Sequence, residues 1–469
     1  MLRGAGVLLH IISLPGGCYV GDLGPEAYAF AEALAYAEQT YWQTLPINHT
    51  LPEYENSPYS AASSFAGDPR LVSLDLMKRD GLIDQVPQCP PTPRADYQAA
   101  WEVKTKAIEK AYKRHRRLKD FTAFMEEEWE WLGEYATYMA LRERHGPHPP
   151  RGNAPRDRVE FYAFAQFVFW TQWRRLKEYV NSLGIFLIGD LPYYPGPDSA
   201  DVWAHPRLFK VGQDGRPLYV GGVPPDYFSP TGQLWGNPVY NWEEMEREGY
   251  RWWIRRLKHA LRTFDYVRLD HFRGYAAYWE VPAGEPTAAG GRWVPGPGKR
   301  LFDAAAAEVD LGRLVAEDLG YITPDVEELR DSLGLPGMRV LQFAWDGNSA
   351  NPHKPHNHVK NSLVYTGTHD NNTAVGWFTE EAIPAARREV LKYGNCRPRE
   401  INWCLIRLAH MSVADVAIVP MQDVLGLGSE ARMNKPGTVG GNWRWRLAEQ
   451  PPRAPLRKLR EVTRLYGRI

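Results

Sequence analysis

The chain has only four cysteines among its 469 residues, Cys18, Cys89, Cys396 and Cys404, and no two of them stand in a C-x-x-C arrangement. That spacing argues against a zinc site and against a disulfide framework. Neither sign of charge is in surplus: Lys+Arg and Asp+Glu each number 56, and the formal net charge is zero. Without a global field, nucleic acid and anionic membranes are poor partners, and a neutral ligand fits better. No apolar run approaches the roughly 20 residues needed to cross a bilayer. The N-terminal MLRGAGVLLHIISLPGG lacks a small-residue cleavage site, so it reads as the first core strand of a cytoplasmic protein. There is no fixed-period repeat and no low-complexity tract. Tryptophan, by contrast, is plentiful, with 18 residues. Flat aromatic faces suit the C–H faces of pyranose rings, but for any single tryptophan packing is the expectation.

Short apolar or β-branched runs recur along the chain, each ending in a polar, glycine-rich or carboxylate-bearing turn. They are AGVLLH (5–10), YWQTLP (41–46), GIFLIGD (184–190), FDYVRLD (264–270), GRLVAED (312–318), MRVLQF (338–343), SLVYTG (362–367) and DVAIVP (415–420). Strands buried on both faces of a parallel sheet have this appearance. Helical patterns lie between them. PEAYAFAEALAYAEQ (25–39) opens favourably with Pro25 and Glu26, and TPDVEELRDSLG (323–334) has Thr323 as N-cap with Pro324 behind it. Two more occupy 379–394 and 399–411.

Eight strands, most of them followed by a helix, predict an α/β fold: a (β/α)8 TIM barrel forming one catalytic domain over residues 1–469. Two connections are too long for barrel loops. They predict largely helical insertions at about 47–183 after strand 2 and about 191–263 after strand 3. Within the first, the block 96–146 has charged faces with recurring aromatics, its basic stretch Lys113 to Lys119 reads as a solvated helix face, and 147–156 reads as a linker. HKPHNH (353–358) reads as an exposed loop rather than a metal site, since no carboxylate lies nearby.

In such a barrel the chemistry sits at the C-terminal strand ends, which singles out YVRLDHFRG, LVAEDLG and VYTGTHDNN. Arg268 and Asp270 are two apart on a strand and leave it on the same face. The cation favours the ionised carboxylate, and an ionised carboxylate in a cleft can attack an anomeric carbon. Glu317 and Asp318 leave on opposite sides, and alternation alone does not choose between them. If Glu317 faces inward it shares its side with Val315, an apolar neighbour that suits a general acid. His369, Asp370 and Asn371 could together bind vicinal sugar hydroxyls, with an Asx-type turn as the plainer alternative.

At these residues the chain resembles the 4-α-glucanotransferase family, the amylomaltases or disproportionating enzymes, related to the α-amylase clan. The resemblance runs through SLPGG…GDLGPEAY (13–28), NSPYS…SSFAGDP (56–69), GDLP…PDSADVW (189–203), GGVPPDYFSPTGQLWGNPVYNW (221–242) and VRLDHFRGY (267–275). It continues in AEDLGYITPDV (316–326), PGMRVLQFAWDG (336–347), YTGTHDNNT (365–373) and MQDVLGLGSEARMNKPGTVGGNWRWRL (421–447). It implies Asp270 as nucleophile, Glu317 as general acid/base and Asp370 as transition-state stabiliser. It also implies sugar contacts from Arg268 and His369, stacking by Tyr59, and further contacts from Asp190, Trp235 and Asn442.

The same resemblance implies a barrel without a C-terminal β-sandwich, no cofactor and no metal. The substrates it implies are α-1,4-glucans and maltooligosaccharides, with a glucan segment passed to the 4-OH of an acceptor by a retaining double displacement. On mechanism alone a retaining α-glucan hydrolase remains an alternative, and a non-catalytic glucan-binding barrel a more distant one. The chain departs from the family pattern at YYPG (193–196), at Asn241, where aspartate is usual, and in the charged, glycine-poor loop 48–56. These departures leave the trio untouched and bear on the acceptor side and product size.

Overall fold

Every one of the eight apolar runs forms a strand of one parallel sheet: β1 (Gly4–Leu8), β2 (Tyr41–Gln43), β3 (Phe186–Leu191), β4 (Tyr266–Leu269), β5 (Leu314–Ala316), β6 (Gly337–Val340), β7 (Ser362–Tyr365) and β8 (Val416–Pro420). The computed structural model describes residues 1–225 and 229–469. Asp226, Tyr227 and Phe228, part of the GGVPPDYF motif, lie outside them. Around the sheet the order is β6-β7-β8-β1-β2-β3-β4-β5, each neighbouring pair parallel. The sheet closes between β5 and β6, where Ala316 N donates to Pro336 O at 2.9 Å and Met338 N to the Asp318 carboxylate at 2.6 Å. This is the (β/α)8 barrel, and its strands are apolar because they are buried on both faces; every residue of β1, β7 and β8 is buried. In β3, Gly189 makes room for Phe264: an added Cβ would stand 2.0 Å from that ring.

The outer helices begin with α1 (Pro25–Tyr36). The first insertion supplies α2 (Tyr97–His115), α3 (Lys119–His145) and α4 (Arg156–Ser182), and α4 leads straight back to β3. The basic stretch Lys113 to Lys119 is where α2 ends and α3 begins, and its lysines and arginines are exposed. Aromatic contacts lock α3 to α4, among them Phe121 with Phe164 at 5.2 Å and Trp131 with Trp170 at 6.3 Å. Most of the tryptophans serve packing of this kind, and Trp42, Trp173 and Trp253 are fully buried.

The second insertion is only partly helical. Besides α5 (Arg251–Thr263), it contains strands Tyr219–Val223 and Gln233–Pro238. These join Ala277–Pro282 and Arg292–Pro295, from beyond β4, in a four-stranded antiparallel sheet. After β5 comes α6 (Pro324–Ser332), and beyond β8 the chain is helical or irregular, ending in helix Arg453–Leu465. Among the described residues, no helix is long and apolar enough to cross a membrane.

Two expectations fail here. The cysteines pair as Cys18–Cys89 and Cys396–Cys404, with Cα atoms 5.3 and 6.0 Å apart. Tertiary folding brings together the first pair, which is 71 residues apart in sequence. The HKPHNH tract is not an exposed loop either. His353 Nδ1 accepts from Val340 N, His358 is buried against the Ser412 hydroxyl, and Lys354 is buried in an ion pair with Glu389.

Candidate active site

At the C-terminal mouth of the barrel, one buried guanidinium gathers the carboxylates. Arg268, on β4, donates from Nη1 to both Asp190 oxygens at 2.7 and 2.8 Å and to Asp270 Oδ1 at 2.9 Å, while its Nη2 stands 3.8 Å from Glu317 Oε2. Burial works against its charge, but Asp190 and Asp270 outweigh burial and hold it well above the ordinary arginine range. The side chains of Asp270 and Glu317 remain 24% and 12% exposed, so both face the cleft.

The backbone after the nucleophile candidate is shaped for Glu317. His271 has a φ of 47°, in the left-handed region that a non-glycine residue seldom occupies, and its N–H donates to Glu317 Oε2 at 2.8 Å. Leu319 N donates to Oε1 at 3.0 Å. With both oxygens pinned, the carboxyl plane is fixed. Burial raises its pKa to about 8; Arg268 pulls it down, Asp270 pushes it up, and burial prevails. Asp318 is spent elsewhere. Buried, it binds Arg330, Arg339 and Met338 N where β5 closes on β6. The choice that strand alternation left open is thereby visible: Glu317 faces the cleft and Asp318 seals the barrel.

Asp370 lies across the mouth after β7, 43% exposed, with His369 Nε2 3.4 Å from its Oδ1. Asn371 Oδ1 accepts from Thr368 N and Oγ1 at 2.9 and 3.0 Å, and Asp370 N donates to Thr368 Oγ1 at 3.3 Å, so the Asn371 carboxamide oxygen is turned back onto its own loop. Tyr59 bridges the two sides, its hydroxyl 2.8 Å from both Asp190 Oδ2 and His369 Nε2. Burial, reinforced by the Asp190 charge, raises the phenol well above its usual range and keeps it protonated. Its single proton goes to Asp190, so His369 donates from Nε2.

Three remaining sequence candidates divide. Trp235 is half-buried at the mouth, edge to face with His271 at 4.8 Å. Asp190 has no exposed side-chain surface and is saturated by Arg268 and Tyr59, which makes it a support beneath the cleft. Asn442 closes its own loop, accepting from Lys435 N at 3.0 Å and donating to Thr438 O at 3.2 Å. The departures from the family pattern also find places. Asn241 caps a short helix through Glu244 N, Tyr193 donates to Gly274 O below His271, and Glu53 pairs with Arg142.

Sequence reasoning overlooked Asn434, Arg432 and Trp443. Asn434 Nδ2 donates to Asp370 Oδ1 at 2.6 Å, Arg432 holds the Asp370 carbonyl at 2.7 Å, and the Trp443 ring lies 5.7 Å from Tyr59 and 6.0 Å from His369. All three lie in the long segment after β8, too far beyond Pro420 for the strand-end rule that singled out the other candidates to reach them. Among the described residues no cluster of His, Cys, Asp and Glu has the makings of a metal site.

Comparison with known proteins agrees with this architecture. The model of the family described as 4-alpha-glucanotransferase matches residues 9–451. The 4-alpha-glucanotransferase of Aquifex aeolicus is 44% identical over 100% of both chains, and that of Thermus thermophilus is 45% identical over 98% of this chain and 99% of its own. In structure, an amylomaltase from Streptococcus agalactiae in complex with acarbose superposes with a TM-score of 0.93 at 36% identity, covering 99% of each chain. With the barrel, the carboxylates at its mouth and relatives matched from end to end, the chain belongs to the 4-alpha-glucanotransferase family and is a transferase rather than a hydrolase.

Proposed function

We propose that the chain transfers segments of α-1,4-glucans and maltooligosaccharides, in the cytoplasm, by a retaining double displacement run by Asp270 and Glu317. Asp270 attacks C1 of a glucosyl unit. The C1–O bond breaks, and its electron pair leaves with the oxygen, which takes the Glu317 proton and frees the shortened glucan. A β-glucosyl ester on Asp270 remains. Glu317, now ionised, removes the proton from the 4-OH of an incoming glucan, whose oxygen attacks C1 and restores the α-linkage. Asp370, held by Asn434, grips the ring hydroxyls of the reacting unit, with Arg268 and His369 beside it and Tyr59 and Trp235 supplying aromatic surface.

The observation that carries this reading is Glu317, a carboxyl kept protonated at neutral pH while sharing one guanidinium with a second cleft-facing carboxylate. A binding protein has no use for that pairing. Incubation with maltotriose followed by chromatography tests it: glucose plus a ladder of longer maltooligosaccharides is expected, and glucose and maltose without a ladder would sink it. Asp270→Asn should abolish turnover with the fold intact. Near-normal turnover would remove Asp270 from its role.

A further inference from the structure

The loops after β4 and β5 hold an aromatic assembly to which the double displacement gives no task. Arg273, three residues past Asp270, is buried, with its guanidinium 3.9 Å from the ring centroid of Trp293 and 5.3 Å from that of Tyr321. Its Nη1 donates to Thr323 Oγ1 at 2.6 Å. The two rings are 6.5 Å apart and inclined by only 24°. Trp279, paired with Trp293 across the antiparallel sheet, meets it edge-on at 5.2 Å. A cation and two tryptophans thus fix a tyrosine that remains 66% exposed. An ordered, outward aromatic face on a neutral protein is a surface made ready for something flat and apolar on one side.

Its position relative to the chemistry indicates what that is. Tyr321 is four residues beyond Glu317, so their Cα atoms are at most about 14 Å apart, a distance a short oligosaccharide spans. His369 and Asp370 follow β7, Asn434 follows β8 and Tyr59 follows β2, one arc of the barrel. The assembly rises from β4 and β5 on the other arc. Glu317 protonates the departing oxygen, so the surface continuing outward from its loop flanks the leaving chain and, in the second half-reaction, the acceptor.

We propose that Tyr321, backed by Arg273 and Trp293, is a platform for the acceptor glucan beyond its first glucosyl unit, stacking on a pyranose C–H face and setting the preference for acceptor length. This rests on the retaining-transfer reading above. The test uses an α-maltosyl fluoride donor, so that only the acceptor occupies this side, with glucose, maltose, maltotriose and maltotetraose as acceptors. The ratio of kcat/KM for maltotriose to that for glucose should fall about three- to tenfold in Tyr321→Ala and recover in Tyr321→Phe. An unchanged ratio in Tyr321→Ala overturns the platform while leaving the transferase mechanism standing. A wild-type enzyme that makes no transfer product overturns both.

Discussion

Replacing the sugar leaving group of the donor by fluoride should remove the alkaline limb of the rate profile, and the surroundings of Glu317 set how large the effect is. Burial places this carboxyl at about 8, against an ordinary value of 4.5. At pH 7 it is protonated roughly ten times in eleven, whereas an ordinary glutamate would be protonated about once in three hundred, so burial multiplies the acid form by about 300. With maltotriose as donor, kcat/KM should be level through neutrality and fall tenfold per pH unit above about 8, because the acid is present below that value and lost above it. Fluoride departs without a proton, so a single-turnover measurement of glycosylation from α-maltosyl fluoride should show no such limb. Glu317→Gln should cost about 10²- to 10⁴-fold with maltotriose and far less in glycosylation from the fluoride, after which the glycosyl enzyme accumulates for want of a base. The same alkaline limb with both donors, or equal losses in the variant, would refute the assignment of Glu317 as acid.

Three further outcomes are expected. Asp190→Asn strips Arg268 of its fully buried charge partner and should cost about 3–5 kcal/mol in denaturant unfolding along with a fall in kcat; wild-type stability would show that Asp270 alone suffices for Arg268. Tyr59→Phe leaves His369 Nε2 and one Asp190 oxygen without a shared partner and should cost about 1–3 kcal/mol together with a raised KM, so an unaltered variant would contradict the bridge. Opening the Cys18–Cys89 link, which closes 71 residues, should destabilise the chain by about 4 kcal/mol. Thiol counting under denaturing, non-reducing conditions checks that the link exists, and four free thiols would rule it out.

The barrel was legible because each strand is buried on both faces and so writes a continuous apolar run. The antiparallel sheet was not. Its strands come from two different loops, and Gly221, Gly222 and Gly236 interrupt any alternation; at Gly222 an added Cβ would stand 2.3 Å from Gln233 O. In the site, Asp270 and Glu317 announced themselves as acids closing apolar runs. Asp190 has the same signature, yet it lies beneath the cleft with Arg268 above it, a difference of depth that a strand pattern does not record. Asn434 and Asn442 sit in one loop after β8 and look alike in sequence; only the folded loop turns the first onto Asp370 and the second back onto its own backbone. The cysteines were misjudged for a related reason, since spacing along the chain says nothing about two loops that meet.

Arg268 touches both carboxylates of the proposed cycle, and that has a consequence for how charge moves through it. At the start the negative charge sits on Asp270 and the proton on Glu317. Once the ester forms, Asp270 is neutral and Glu317 carries the charge. The total is the same, and besides Asp190 the guanidinium has one ionised partner of the pair in each half, first at 2.9 Å and then across the 3.8 Å gap to Glu317. The cation need not move or change its solvation between the two displacements. Esterification also removes the anion that had been raising Glu317, so the acid of the first step is made a weaker proton holder at the moment it must serve as the base of the second.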